Sequence, residues 1–476
     1  MRLISDMSWF IMLGILLPLA FIAVHAAVQD QYFNQFISHQ STYTSDMPTT
    51  VLPFASEAVE ALYDKNGKCF VLMTSDNIMW TSRRVPHRDK IKLEPIYGDW
   101  KRVHDFSNIG SGWKIVKAPD SIILVSSPHI YEVVLDFTCS ELTSLQPRVE
   151  PTTPAWGIAY SLQVGFNALW IGSDEGLLRV PMGVESPFWQ VGHVEDVPVD
   201  PPVTSLAAVE QWGVLFAGTS CVFYELRFIP PSQSSYHIHH EWIGGNIDGP
   251  VQAMTFDEAA GCLWVVEADA VHCRDEDKMW WRFGYPQGAL TDNLTSVAVA
   301  RSRADGRGSG ALSQVWTGSQ ERGLVRLRVD KSLLSGDECS DGDSWSRWLL
   351  FYGPRYLPDG HVQMLVSDTD TGDDQDGKDG GDKKYVDDWE EAQAETLLVV
   401  SDKGVTWISS ERWTLLEKQA AMQSFQYPRH DRNGIVAEVS LQAYGDLASY
   451  SHSPEDSDGI WTAQYAVAAA FRFSST

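Results

Sequence analysis

The chain has 476 residues, 44% hydrophobic and 21% charged, with 19 tryptophans, which is the composition of a globular protein and not of a disordered or fibrous one. Thirty-six Lys and Arg face 63 Asp and Glu, a formal net charge of -27. Such a field repels phosphate backbones and makes nucleic acid and anionic membrane surfaces poor partners.

The first 26 residues, MRLISDMSWFIMLGILLPLAFIAVHA, read as a secretory signal peptide. Arg2 marks the polar start, Trp9 to Val24 the apolar run, and Val24 and Ala26 the small-residue cleavage site. The competing reading is an uncleaved signal anchor, because the run approaches the lower length limit for spanning a bilayer. Either way the remainder is expected to be secreted or lumenal, membrane-tethered in the second case. Residues 27–57 read as an N-terminal linker.

A strand–turn–strand unit then recurs. It is clearest at Leu169 to Val180, LWIGSDEGLLRV, and reappears at Gly213 (GVLFAGTSCVFYEL), Gly261 (GCLWVVEADAVHCRD), Ser313 (SQVWTGSQERGLVRLRV) and Thr396 (TLLVVSDKGVTWIS). Weaker copies lie at Lys68 (KCFVLMTSDNIMWTS) and Ser121 (SIILVSSPHIYEVV). With Val71, Leu124, Trp170, Phe216, Trp264, Trp316 and Val399 as equivalent positions, the steps run about 46 to 53 residues, except the last. Several short strands per unit at this period predict blades, and seven copies predict an all-β, seven-bladed β-propeller over 58–410.

Two of the units, LWIGSDEGLLRV and VWTGSQERGLVRL, resemble the two-component regulator propeller repeat, in which an aromatic, an aliphatic, Gly and Ser/Thr precede an acidic turn and a Gly-Leu strand. The connecting phrases YPQGALTDNLTSVAV (Tyr285 to Val299) and YLPDGHVQML (Tyr356 to Leu365) resemble its linkers. The likeness runs from Ala58 to Ser410, and the first two units depart from it by lacking the Trp-x-Gly step. It implies a sensor-type propeller that recognises glycans or peptides. The kinase that usually follows such propellers is not in this sequence.

Six cysteines, an even number, suit disulfides in an oxidising compartment. Cys262 and Cys273 flank a hairpin turn at Ala268 and Asp269 and are the expected pair; buried free thiols are the alternative. Without a C-x-x-C, zinc is not expected. The sequon Asn293-Leu294-Thr295 marks Asn293 as a glycosylation acceptor. His237 and His239 fall on one face of YHIHHEW, but the PPSQSS before them says loop, and exposed, unliganded histidines are expected. Residues 367–395 form an acidic, Gly-rich insertion expected to be solvated and disordered. Asp368 and Asp370 match two calcium-loop positions, but Asp373 stands where glycine is required. No metal and no cofactor is expected.

Residues 411–476 read as a short mixed α/β extension. Thr414 is the predicted N-cap of a helix, with Glu417 completing a capping box. A strand follows at GIVAEVSL, and an Ala-rich helix near Ile460. This tail resembles the opening of an (α/α) toroid domain found after propellers in large secreted proteins, incomplete here, and the resemblance makes His430, Asp431, Arg432, Asp456 and Asp458 catalytic candidates and Trp461 and Tyr465 ligand-binding candidates. Carboxylates at 456 and 458 suit sugar chemistry. The plainer reading has Asp456 capping the last helix and Trp461 and Tyr465 packing it.

Two function classes stand. The first is a secreted propeller binding module whose ligand, a glycan or a protein, meets the rim loops, with the tryptophans as sugar-stacking surfaces. The second is the front part of a glycoside hydrolase, lyase or epimerase with a truncated toroid. No nucleophile elbow, zinc-protease helix or phosphate-cradling loop supports a third.

Overall fold

The computed structural model describes residues 32–42, 56–84, 99–148, 157–182, 195–220, 222–229, 232–242, 247, 249–284, 293–301, 311–330, 348–352, 356–368, 395–421, 423–424, 427–432, 435–441, 450–453 and 462–467. Two compact units emerge. One comprises Ser38–Val85 and Tyr97–Ile408; the other comprises Met1–Ile37, Pro86–Ile96 and Ser409–Thr476.

The larger unit is a seven-bladed β-propeller. Its first six sheets are antiparallel, four-stranded and sequential: 58–105, 114–147, 159–197, 203–242, 253–283 and 294–351. The first strand of each blade touches the first strand of the next, and Val362–Ser367 of the seventh blade touches Ala58–Asp64 of the first. At that junction the Ala61 N–H donates to Met364 Sδ at 3.1 Å. The ring is thereby closed, and these first strands are its innermost layer.

Blades stack face to face, so a second strand has neighbours on both sides and is mainly apolar along its length. Cys69–Thr74, Ile122–Ser126, Ala168–Ser173, Val214–Thr219 and Cys262–Val266 are buried at every residue. Core clusters accordingly form between consecutive blades, not within one. Trp170 packs with Leu206, Leu215 and Phe228 of the fourth blade; Trp264 packs with Val315 and Leu327 of the sixth. Each fully buried indole contributes roughly 4–6 kcal/mol by area.

The repeated Gly-Ser/Thr step has a physical cause. A Cβ on Gly172 would meet Val203 of the next blade at 2.8 Å, and one on Gly218 would meet Val251 at 2.7 Å. Glycine lets the blades approach. The hydroxyl that follows closes the turn to the third strand: Ser173 Oγ donates to Gly176 O at 3.1 Å and Thr219 Oγ1 to Val222 O at 3.0 Å, and in the seventh blade Ser401, which follows Val400, makes the same bond to Gly404 O at 2.9 Å.

The seventh sheet corrects the linker reading of 27–57. Its order is Val362–Ser367, Glu395–Ser401, Gly404–Thr414 and then Tyr32–Thr42, so an N-terminal segment supplies the outermost strand. Sequence reasoning missed it because its partner lies at the other end of the chain. The stretch around His237 is also a strand, Ser232–Trp242, paired with Val222–Ile229 along most of its length.

Two disulfides are present among the described cysteines. Cys262 and Cys273 are bonded diagonally across adjacent strands of the fifth blade, Cα atoms 5.8 Å apart. Cys69 of the first blade is bonded to Cys139 of the second, tying the two blades together.

Gly404–Thr414, which begins in the larger unit, runs into a helix of the smaller one at Leu415–Ala421. The Glu417 N–H donates to Thr414 Oγ1 at 3.1 Å and the Thr414 N–H donates to Glu417 Oε2 at 2.7 Å, a complete capping box. Short hairpins follow, Asp431–Arg432 with Ile435–Val436 and Glu438–Leu441 with Tyr450–Ser453, and residues 462–467 are helical. Among the described residues no helix is long and apolar enough to cross a membrane.

Candidate ligand-binding rim

In an antiparallel blade, the start of the first strand and the turn between the second and third strands share one edge. Backbone hydrogen bonds fasten that edge, from Ser75 N–H to Glu57 O at 2.8 Å and from Asp174 N–H to Ile158 O at 3.2 Å. The close approach of Gly172 to Val203 aligns the edges of adjacent blades into a rim around the channel mouth.

Five blades break register at the same place on this rim. The pairing slips between Ala58 and Glu60, Ala159 and Ser161, Val203 and Ser205, Leu294 and Ser296, and Val362 and Met364. A bulge leaves one residue unpaired and re-aims its side chain. The bulged residues are Val59, Tyr160, Thr204, Thr295 and Gln363. Two of them fasten blades: Thr204 Oγ1 donates to Val251 O at 2.9 Å and Thr295 Oγ1 to Val362 O at 2.5 Å. The other three, Val59, Tyr160 and Gln363, are exposed.

At the seventh blade the rim carries a polar group. His361 Nδ1–H donates to Asp402 Oδ2 at 2.6 Å, and Gln363 Nε2 donates to Asp402 Oδ1 at 2.5 Å. Asp359 accepts the His361 N–H at 3.0 Å. Desolvation lifts the Asp359 carboxyl above its ordinary range, the Asp402 charge adds to the rise, and the His361 N–H opposes it. The third blade adds Asp174 and Glu175, both exposed, beside Ile158 and Tyr160. Hydrogen-bonding groups in fixed positions next to exposed apolar side chains suit recognition of a ligand.

The opposite edge has grooves of a different kind. One of about 420 Å³ lies between the fourth and fifth blades, lined by Trp212, Gly261 and Asp275 to Asp277; one of about 220 Å³ lies between the first and second, beside Asp64, Lys117 and Asp136. The leading carboxylates there organise turns. Asp275 Oδ1 accepts the Met279 N–H at 2.8 Å, and Asp136 Oδ1 accepts the Ser140 and Glu141 N–H groups at 2.7 and 2.9 Å. Asp64 lies close to Cys69 and Cys139, a grouping with metal-ligand types, but both sulfurs are bonded to each other.

The residues singled out from sequence do not gather on the rim, except one. Asn293 is exposed there, in the left-handed region at φ 54°, with its carbonyl accepting the Gln320 N–H. His430 Nδ1–H donates to the Ala437 carbonyl at 3.0 Å, which fixes the ring to the backbone of its own unit. Asp431 and Arg432 form one side of the first small hairpin, and Tyr465 lies in the helical stretch 462–467, partly buried. Asp456, Asp458 and Trp461 lie outside the described residues, as do the signal peptide and 369–394 of the acidic insertion. Asp368, at the root of that insertion, is buried and accepts the Thr396 N–H at 2.7 Å, so its carboxylate holds the two ends of the loop together. His237 and His239 are exposed on the outer strand of the fourth blade.

Tyr160, Ile158, His361 and Asp402 were not anticipated as site residues. The motifs containing two of their neighbourhoods, LWIGSDEGLLRV and YLPDGHVQML, were visible as repeat signatures. A register break, however, leaves no residue-type mark.

No protein-family model matches the chain, and no curated protein matches it. Among solved structures it is similar to one described as the extracellular domain of a hybrid two component system from B. thetaiotaomicron, with 12% identity over 74% of this chain and a TM-score of 0.44. The chain spans 38% of that protein's solved length.

Proposed function

We propose that the protein is a propeller interaction module that takes its ligand on the rim described above. The observation that carries this reading is the bulge repeated at one level in five blades, which re-aims one residue per blade on a single edge and leaves Val59, Tyr160 and Gln363 exposed. Two disulfides support an extracellular or lumenal setting.

Carbohydrate recognition is one finer form of the reading. The tryptophan content supports it less in the fold, because among the described residues Trp80, Trp100, Trp113, Trp170, Trp264, Trp316, Trp348, Trp407 and Trp413 are buried and Trp212, Trp280 and Trp281 are half-buried and off the rim. What supports it instead is Tyr160 as a stacking surface, with Gln363, His361 and Asp402 as hydroxyl partners. The test compares glycan-array and peptide-library binding of the whole chain with that of a Tyr160→Ala/Gln363→Ala variant and a Phe137→Ala variant on the other edge. Loss in the first and retention in the second is expected. The reverse pattern overturns the rim as the ligand face.

A further inference from the structure

The rim is chemically uneven, and its third-blade corner has a defined construction. Gly157 adopts φ 77°, and a Cβ there would collide with the Asp174 carboxylate. Glycine therefore lets that carboxylate fold over the backbone and accept the Ile158 N–H at 2.6 Å. The bond holds Asp174 still and leaves Ile158 64% exposed, two residues from Tyr160 at the bulge, itself 43% exposed. Glu175 stands exposed beside Asp174, its N–H donating to Ser173 Oγ at 3.2 Å.

Two exposed apolar side chains beside two carboxylates form a composite surface. Desolvating Ile158 and Tyr160 favours an apolar partner group, while Asp174 and Glu175 repel anions and attract cations. Other blades reinforce the sign. Glu57, Asp76, Asp269, Glu321, Asp359 and Asp402 lie on the same edge, against Lys114, Arg282, Arg322 and Lys403 as cations among the described rim residues, and Lys114 and Arg282 are already paired with Glu60 and Asp269. The chain as a whole carries -27. A uronic-acid glycan would meet repulsion here, and a neutral glycan would leave the field unused. A basic polypeptide uses both features.

We propose that the third-blade corner of the rim, Ile158 and Tyr160 with Asp174 and Glu175, is a docking surface for a basic polypeptide segment in which Lys or Arg alternates with apolar side chains. The inference rests on the rim being the ligand face. The guanidinium or ammonium groups of the partner sit against Asp174 and Glu175, and its apolar residues cover Ile158 and Tyr160.

The test uses the whole chain and fluorescein-labelled short peptides of alternating Arg and Leu, with a Glu–Leu peptide as control, followed by anisotropy at low and at physiological salt. Binding of the Arg–Leu peptide, weakened by salt, is expected. Ile158→Ser/Tyr160→Ala and, separately, Glu175→Lys should each weaken it at least about tenfold, with melting temperatures within a few degrees of wild type. The surface charge reversal Glu175→Lys keeps the test valid if the double variant folds poorly. Absence of Arg–Leu binding, or binding that ignores both variants, overturns the proposal. If these variants instead abolish binding to a glycan on the array, the peptide proposal falls and the rim reading stands. Binding that responds only to variants on the opposite edge removes both.

Discussion

Gly172 and Val203 meet across the interface of the third and fourth blades so closely that a Cβ on Gly172 would stand 2.8 Å from both Val203 Cγ1 and the Val203 carbonyl oxygen. One of those atoms belongs to a side chain and the other to the backbone of an inner strand, which cannot yield alone. Gly172→Ala is therefore expected to cost about 1–3 kcal/mol through overpacking. At the fourth blade, Gly218 faces only side-chain atoms of Val251. Gly218→Ala should be rescued in part by Val251→Gly, which removes the facing Cβ, Cγ1 and Cγ2, whereas Val203→Gly leaves the carbonyl oxygen in place and should not rescue Gly172→Ala. Denaturant midpoints of the four variants check this, and equal rescue at both sites would refute the backbone argument.

The turn at Asp136 gives a pH-dependent outcome. Desolvation pushes this carboxyl upward, but hydrogen bonds from the Thr138 hydroxyl and the Glu141, Ser140 and Thr138 N–H groups outweigh it and bring the pKa from 3.8 to about 2. A carboxyl depressed in the fold stabilises it above the unfolded value and loses that contribution as pH falls toward the folded value. The stability gap between wild type and Asp136→Asn should therefore narrow as pH drops from about 4 to about 2. Thermal melts across that window measure it, and a gap that widens toward acid would contradict the assignment.

Cys69 and Cys139 are 70 residues apart and join neighbouring blades, with both side chains buried. Closing a loop of that length restricts the unfolded chain by about 4 kcal/mol on the chain-entropy model. Cys139→Ser should lower stability by up to that amount, read as a shift in the guanidinium midpoint. A larger loss would point to packing damage at the first and second blades in addition to the lost crosslink.

The blades were legible because their second strands are mainly apolar and, in the third, fourth and sixth, end in the same Gly-Ser/Thr step, both local properties of sequence. The outermost strand of the seventh blade was not. Tyr32–Thr42 pairs with Gly404–Thr414, and nothing within YFNQFISHQST announces a partner so far away. The rim was obscured for a related reason: the bulge at Tyr160 is a relation between two strands, and the fit of Asp174 over Gly157 joins residues 17 positions apart that share no motif. The tail residues drew attention by type, as His430 and Asp431 did. The structure instead gives the His430 ring a backbone carbonyl, a contact that residue type alone does not disclose.

Between the fourth and fifth blades, Glu225 is 2% exposed and accepts hydrogen bonds from Arg274 and Arg227, each at 2.6 Å, with Lys278 at 3.3 Å. Arg274 is itself buried and lies 5.0 Å from the Phe216 ring centre and 5.7 Å from that of Trp280. Desolvation raises the Glu225 carboxyl, yet the Arg227 hydrogen bond and the charges of Arg274, Lys278 and Arg227 prevail, so it stays below its ordinary value and remains ionised. Arg274→Met would remove the one buried cation and leave Glu225 with two partners whose side chains are 43% and 44% exposed. The expected cost is about 3 kcal/mol, the low end of the range for breaking a buried pair, because those partners remain. Glu225→Gln in the Arg274→Met background should then recover part of the loss, since no buried charge is left behind. A double-mutant cycle in guanidinium measures the coupling. Strictly additive losses would show that Arg274 acts through its aromatic packing on Phe216 and Trp280, and that the ion pair between the blades contributes nothing.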